Sequence, residues 1–172
     1  MKSDIILVPM DYTGCAYEVA GFVSDIAGRL GAEVVLLHVV SMPLGVAEGT
    51  LIHPYDTLGD GIPLASYLDE DAYEHLKPLA RVFEDAGCKV KVAVRHGEPA
   101  HAILQAADDL TVSMIAMGTH GRKGLRRLIE GSVAEAVIRQ ASCPVITVRT
   151  QNPTEHPGRT AAQFQAEAEA LG

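Results

Sequence analysis

Short apolar runs of strand length alternate along the chain with longer segments of helical period. Strands are predicted at residues 5–8, 34–40, 90–94, 114–117 and 144–148, and helices at residues 13–30, 67–86, 99–108 and 132–140. Most of the strands are almost wholly apolar, as expected for a parallel sheet covered on both faces, whereas residues 89–95 alternate with basic side chains and indicate an edge strand. The alternation predicts an α/β domain of three layers, doubly wound, with parallel strands joined by right-handed crossovers.

Chain length and composition fit one domain followed by a tail. Of the 172 residues, 48% are hydrophobic but only 5% are aromatic, so the core must be built from Val, Ile, Leu and Ala. We predict that residues 1–150 form the domain. Residues 41–66 are rich in glycine and proline and show no sustained period, which predicts a surface excursion. Residues 151–172 carry a thin apolar stripe, which predicts a C-terminal tail, with a weakly docked helix as the alternative.

Charge and cysteine content exclude several classes of protein. The net charge of -8 makes nucleic acid and anionic membranes unexpected partners, because both are negatively charged. No apolar stretch approaches the length of a membrane span, and the first residues do not have the composition of a signal peptide. The three cysteines are widely spaced without a CxxC pair, which argues against a disulfide framework or a zinc site. We therefore predict a cytoplasmic protein with no metal-ligating residues.

A glycine-rich segment links the fourth predicted strand to the last predicted helix. Gly118 and Gly121 permit turns with positive φ that would wrap the chain around a ligand. Gly131 lets a phosphate approach the backbone and Ser132 adds a hydroxyl, at a helix N-terminus, where anions are favoured. Alternatively, Ser132 and Glu135 form a capping box that fixes the helix start without any ligand. The spacing alone leaves both explanations open.

Further polar residues lie near the ends of predicted strands. His120 and Arg122 are candidate phosphate contacts, although a basic loop can also be simply solvated. The carboxylate of Asp11 can accept hydrogen bonds from amine or hydroxyl groups of a ligand, or hold a metal bound to phosphates; a turn or helix-start residue is the alternative. His38 is interpreted as a hydrogen-bonded core residue. No nucleophile–base pair is recognisable, so no catalytic residue is assigned.

The loop spacing G-x2-G-x9-G-S resembles the ATP-binding motif of the universal stress protein family, and every position of that motif is filled. Other segments are similar to the family in the same order: the opening Ile-Leu-Val-Pro-Met-Asp, then Leu-Leu-His-Val-Val, Gly-Glu-Pro and the closing Cys-Pro-Val-Ile-Thr-Val. The resemblance covers residues 4–149 and leaves only the predicted tail outside.

This resemblance implies a Rossmann-like fold of the adenine nucleotide alpha hydrolase type, with a parallel sheet of strand order 3-2-1-4-5. Its ligand crevice would lie between strands 1 and 4, walled by Pro9, Met10 and Asp11 on one side and by the segment from Gly118 on the other. Val39 would meet the adenine through its backbone. The residues implied to contact the nucleotide, from adenine to phosphates, are Pro9, Asp11, Val39, Met117, Gly118, Gly121, Gly131, Ser132 and Val133.

The resemblance also implies a ligand, an assembly and a role. The ligand would be ATP, or AMP or ADP, with Mg²⁺, and the protein would be a regulatory or stress-response module with slow or no turnover. The last strand, at residues 144–148, would pair with its copy in a homodimer. Two alternatives stay open: an enzyme acting on the nucleotide, such as a slow ATPase or a nucleotidyltransferase, and a ligand-free interaction protein.

Overall fold

Strands and helices alternate in the structure as the sequence predicts. The computed structural model describes residues 4–11, 15–41, 49–52, 61–120 and 133–150. In chain order, the elements are β1 (Ile5–Pro9), α1 (Ala16–Leu30), β2 (Glu33–Val40), β3 (Leu51–Ile52), β4 (Ile62–Pro63), α2 (Leu64–Asp85), β5 (Lys89–His96), α3 (Pro99–Leu110), β6 (Met114–His120), α4 (Val133–Gln140) and β7 (Val145–Thr150).

One sheet of five strands carries the fold, in the order β5-β2-β1-β6-β7 with all neighbours parallel. This is the predicted order 3-2-1-4-5, because the short strands β3 and β4 pair only with each other, antiparallel. The predicted edge strand is β5, and its Lys89, Lys91 and Arg95 are exposed. The predicted fold class is confirmed.

Each face of the sheet has its own core, because consecutive strand residues point to opposite faces. Ile6 and Val8 of β1 pack with residues of α1 and α2, whereas Leu7 packs with residues of α3 and α4. The helix after β1 therefore covers one face and the helix after β6 covers the other. The two connections leave the carboxyl ends of adjacent strands in opposite directions, which makes the β1–β6 junction the switch point of the sheet.

Element boundaries differ from the sequence predictions by up to three residues, and two of these differences have an identifiable pairing partner. Helix α2 begins at Leu64 rather than at residue 67, and the Leu64 amide donates to the Thr50 carbonyl at 2.8 Å beside the β3–β4 pair. Strand β6 continues to His120 instead of ending at Met117, because it stays paired with β7 along that length. The predicted tail lies outside the described residues, and within the described ranges no helix is long and apolar enough to cross a membrane.

Helix α3 begins at a glutamate cap. The Glu98 carboxylate accepts from the backbone amides of Ala100, at 3.0 Å, and His101, at 2.7 Å. Pro99 occupies the first turn, where its missing N–H costs nothing. Hydrogen bonds from the two amides, chiefly that of His101, lower the pKa of Glu98 from its ordinary value of 4.5. The ionised carboxylate is therefore the form that stabilises the helix start.

The first prediction concerns the pH dependence of this cap. Glu98→Gln is expected to lower the melting temperature at neutral pH, because the amide side chain offers only one acceptor oxygen. A lowered folded-state pKa contributes stability above the unfolded pKa, and that contribution is lost as pH falls through the folded value. The difference between the variant and the wild type should therefore shrink below the ordinary value of 4.5. Melting curves from neutral to about pH 3 check this, with the exposed Glu70→Gln as control; a difference independent of pH would contradict it.

Candidate functional site

The ladder between β1 and β6 stops early, and the space beyond its end is the candidate ligand crevice. Their pairing comprises Ile6 with Met114 and Leu7 with Ile115, although β1 continues to Pro9 and β6 to His120. Backbone groups of a parallel strand face its two neighbours alternately. Because the Met10 amide donates to Leu37 of β2 and the Ile5 carbonyl accepts from Ser113 before β6, Pro9 faces β6. The next rung would need the N–H that proline lacks.

The β1 wall of the crevice ends in Met10 and Asp11. The Met10 side chain is 6% exposed and packs in the core beneath α1. Its amide donates to the Leu37 carbonyl at 2.8 Å, and its carbonyl accepts from Nδ1 of His38 at 2.9 Å. Asp11 follows directly and is exposed. The carboxylate predicted to meet the ligand thus emerges from an anchored strand end.

The β6 wall contains Met117 and Gly118. Met117 is 6% exposed and packs on the face covered by α3 and α4. Gly118 lies inside β6, paired with Val148, and its φ is not positive. The prediction that Gly118 makes a turn is therefore wrong, because pairing with β7 keeps this glycine extended. The Ile115 amide donates to Pro144 beside β7, so by alternation the backbone groups of Gly118 face β1 and the crevice.

Gly118 is needed for close packing against α1. A Cβ added at this position would lie 3.0 Å from Cγ2 of Val19, a side chain that is 3% exposed. Such a contact is shorter than van der Waals separation, so Val19 or the strand would have to move. The glycine therefore lets α1 lie directly over the β6 wall of the crevice.

The second prediction follows from this contact. Gly118→Ala is expected to lower the free energy of unfolding by about 1–3 kcal/mol through overpacking. In a Val19→Ala background the same change should cost much less, because the clashing methyl group is absent. Denaturant unfolding of the wild type, the two single variants and the double variant gives the coupling energy directly. Gly21→Ala is the matched control: nothing lies within 4 Å of its added Cβ, so it should stabilise the helix by about 0.5–1 kcal/mol. Equal costs for Gly118→Ala in both backgrounds would refute the packing explanation.

Threonines join the carboxyl ends of β6 and β7. The Thr119 hydroxyl donates to the Val148 carbonyl at 3.5 Å, and the Thr150 hydroxyl donates to the Thr119 carbonyl at 3.4 Å. Thr150 is only 2% exposed. Both bonds are long and therefore weak, and they connect the last residues of β6 with the end of β7. Sequence analysis missed this pair, since hydroxyls on separate strands give no local signal.

The predicted site residues gather only in part within the described structure. Pro9, Met10 and Asp11 lie on one wall and Met117 and Gly118 on the other, with the half-buried Val39 at the carboxyl end of β2 beside them. His120 ends β6, and the half-buried Val133 begins α4, after residues 121–132, which lie outside the described structure. The remaining candidates lie outside the described residues: Gly121, Arg122, Gly131 and Ser132.

Two of the three cysteines lie far from this crevice, and the third is buried. All three are free, and Cys15 is buried at the start of α1. Cys88 and Cys143 precede β5 and β7 and therefore lie at the amino ends of the strands, whereas the crevice lies at the carboxyl ends. Burial raises the pKa of both thiols, which disfavours the reactive thiolate form.

Comparisons of sequence give a consistent family. A family model described as the universal stress protein family matches residues 2–149. Universal stress protein MJ0531 of Methanocaldococcus jannaschii is 33% identical over 147 residues, which is 84% of this chain and 81% of that protein. Universal stress protein MJ0577 of the same organism is 31% identical over 159 residues, covering 86% of this chain and 95% of that protein.

Solved structures agree with this result. The structure of MJ0577 has a TM-score of 0.66 at 27% identity and covers 88% of this chain and 99% of its own. A universal stress protein in complex with cAMP has a TM-score of 0.65 at 16% identity, with coverages of 87% and 98%. The universal stress protein from Archaeoglobus fulgidus in complex with dAMP has a TM-score of 0.59 at 22% identity, with coverages of 86% and 98%. The last two likenesses establish the fold alone, but the family match and the two relatives establish more: the chain belongs to the universal stress protein family.

Proposed function

We propose that this protein binds an adenine nucleotide, with ATP as the ligand, in the crevice between β1 and β6. The observation that carries the proposal is the early end of the β1–β6 ladder, after Leu7 and Ile115. The ladder ends at the switch point, on the carboxyl side of the strands, where ligands of open α/β sheets bind. Met10 and Met117, whose side chains are buried in the two cores, anchor the strand ends on either side of the site, and Asp11 adds an exposed carboxylate.

Each part of the nucleotide has a counterpart in this arrangement. The adenine and ribose would lie near Pro9, Asp11 and Val39, and the ribose would also approach the backbone of Gly118. The phosphates would lie at the start of α4, where free amides and the helix dipole favour an anion. Gly121, Gly131, Ser132 and Val133 are the residues assigned to them, with His120 and Arg122 as additional contacts.

Relatives of the same fold support an adenine ligand. The neighbours in complex with cAMP and dAMP share this architecture, so the fold accommodates adenine nucleotides in those proteins. We propose that Mg²⁺ arrives with the phosphates of ATP, the usual mode for this ion. Within the described ranges, no group of three His, Cys, Asp or Glu residues could hold a metal.

The biological role that we propose is a cytoplasmic regulatory or stress-response module that turns ATP over slowly or not at all. We also propose that it acts as a homodimer paired through β7. The strand is at one end of the sheet order, and Val145, Ile146 and Val148 give it an apolar sequence. Edges of this kind readily pair with another chain.

Nucleotide analysis and thermal unfolding test the ligand. Mass analysis of the supernatant from denatured, freshly purified protein should identify an adenine nucleotide. At a hundredfold excess over Kd, a ligand that binds only the native state adds about 2.7 kcal/mol, so ATP should raise the melting temperature by about 5–10 °C. GTP should raise it less. No shift with any adenine nucleotide at millimolar concentration would refute the proposal, and fast single-turnover hydrolysis would point to an enzyme instead.

A further inference from the structure

The ring of His38 contacts the main chain at the end of the neighbouring strand. His38 is half-buried in β2, and its Nδ1 lies 2.9 Å from the carbonyl oxygen of Met10. A carbonyl can only accept a hydrogen bond, so Nδ1 carries the proton. The bond therefore fixes the tautomer of the neutral ring as well as its orientation.

Three contacts hold Met10 in place. Its amide donates to the Leu37 carbonyl at 2.8 Å, its carbonyl accepts from His38, and its side chain is 6% exposed in the core. Both peptide groups that flank Met10 are thus tied to β2. The second of these groups leads directly to Asp11.

The hydrogen bond from the His38 side chain takes the place of one that the backbone of β2 would otherwise donate to Met10. The Leu37 carbonyl accepts from Met10 on the β1 side, whereas the Val40 carbonyl accepts from Gly97 on the β5 side. Backbone groups alternate along a parallel strand, so Val39 faces the β1 side like Leu37. Since β1 ends at Pro9, Val39 faces the space beyond that end.

In a continued ladder, the amide of Val39 would donate to the carbonyl of Met10. Met10 lies just outside β1, and the described residues show no hydrogen bond between the Val39 amide and the Met10 carbonyl. The His38 ring supplies the donor to Met10 instead. A carbonyl that would otherwise need a backbone partner is satisfied, and the Val39 peptide groups stay directed at the crevice.

We propose that His38 is a positioning residue of the nucleotide site. Its Nδ1–H donates to the Met10 carbonyl and so fixes the peptide group before Asp11. The main-chain groups of Val39 are thereby left to bind the adenine base. The inference rests on the proposed nucleotide-binding function. It adds a role for a histidine that sequence analysis interprets only as a core residue.

Matched variants separate the hydrogen bond from the volume of the ring. Asparagine carries an amide N–H near the position of Nδ1, whereas leucine has nearly the same size without a donor. Calorimetry with ATP, well below the melting temperature of each variant, should give an affinity for His38→Asn within about threefold of the wild type. The affinity of His38→Leu should be weaker by about tenfold, the cost of one lost buried hydrogen bond. If the leucine variant does not fold, His38→Gln serves in its place, because its amide reaches past the Nδ1 position.

The outcomes distinguish this inference from the proposed function. Rescue by asparagine, together with weak binding by leucine, supports the positioning role, because a merely structural effect would lower melting temperature without this pattern in affinity. Wild-type affinity in His38→Leu, or equal losses in the asparagine and leucine variants, would overturn the role of Nδ1 and leave nucleotide binding intact. A wild-type protein that binds no adenine nucleotide would overturn the proposed function and the inference with it.

Discussion

Replacing Gly131 with valine is expected to weaken binding of adenine nucleotides by at least about a hundredfold while the domain stays folded. Gly131 lies outside the described residues, two positions before α4 begins at Val133. Phosphates bound at a helix start meet the backbone amides directly, so a side chain branched at Cβ would stand where a phosphate oxygen must lie. The loss should therefore appear in the affinity for ATP and much less in the stability of the unliganded protein.

A second glycine offers the matched control for this experiment. Gly49 has nothing within 4 Å of an added Cβ and no positive φ, so Gly49→Val makes the same chemical change in open space. Calorimetry with ATP should give wild-type affinity for Gly49→Val and no measurable binding for Gly131→Val. Melting curves without ligand establish that both variants are folded. A folded Gly131→Val protein of unchanged affinity would exclude the proposed phosphate site.

The sequence predicts the order of elements well because the signals are local and repeated. Buried strands of β-branched residues alternate with amphipathic helices, and both patterns arise within a few residues of chain. Boundaries decided by distant partners are less predictable. Gly118 suggests the end of a strand, yet pairing with Val148 extends β6 to His120. The start of α2 at Leu64 likewise accompanies a bond to Thr50, which no helical period in the sequence reveals.

The candidate site likewise combines residues that the sequence indicates with contacts that depend on distant partners. Pro9 and Asp11 can be assigned from their position after a strand and from the family motif. The crevice itself depends on a ladder between strands more than a hundred residues apart in sequence, and on its end after Leu7 and Ile115. The bond from His38 to Met10 joins residues 28 positions apart. Such contacts come from the register of the sheet, so the sequence indicates which residues matter before it indicates what they touch.

Proline in place of Thr147 is expected to convert the proposed homodimer into monomers, raising the dimer dissociation constant by at least about a hundredfold. The Ile115 amide donates to the Pro144 carbonyl at 2.9 Å, so by alternation Ile146 and Val148 face β6. Thr147 faces the other side of β7, where the described residues place no further strand. Thr147 is exposed, and proline there would remove an outward amide without removing a bond to β6. Its effect on the preceding residue also favours extended backbone, which suits a strand.

Two comparisons make this prediction decisive. Thr147→Val keeps the outward amide and should remain dimeric in light scattering, whereas a charge at Ile146 is unsuitable because that side chain packs against the core beside α1. A chain ending at Thr150 tests whether residues 151–172 cover the edge. A dimer with and without those residues, lost only in Thr147→Pro, supports pairing through β7. If the full chain is monomeric and the shortened chain dimerises, the C-terminal residues cover the edge and the proposed dimer is wrong. A Thr147→Pro protein that is folded and still fully dimeric would mean that the two copies meet through another surface, since the β7 edge could no longer form a continuous ladder across the two-fold axis.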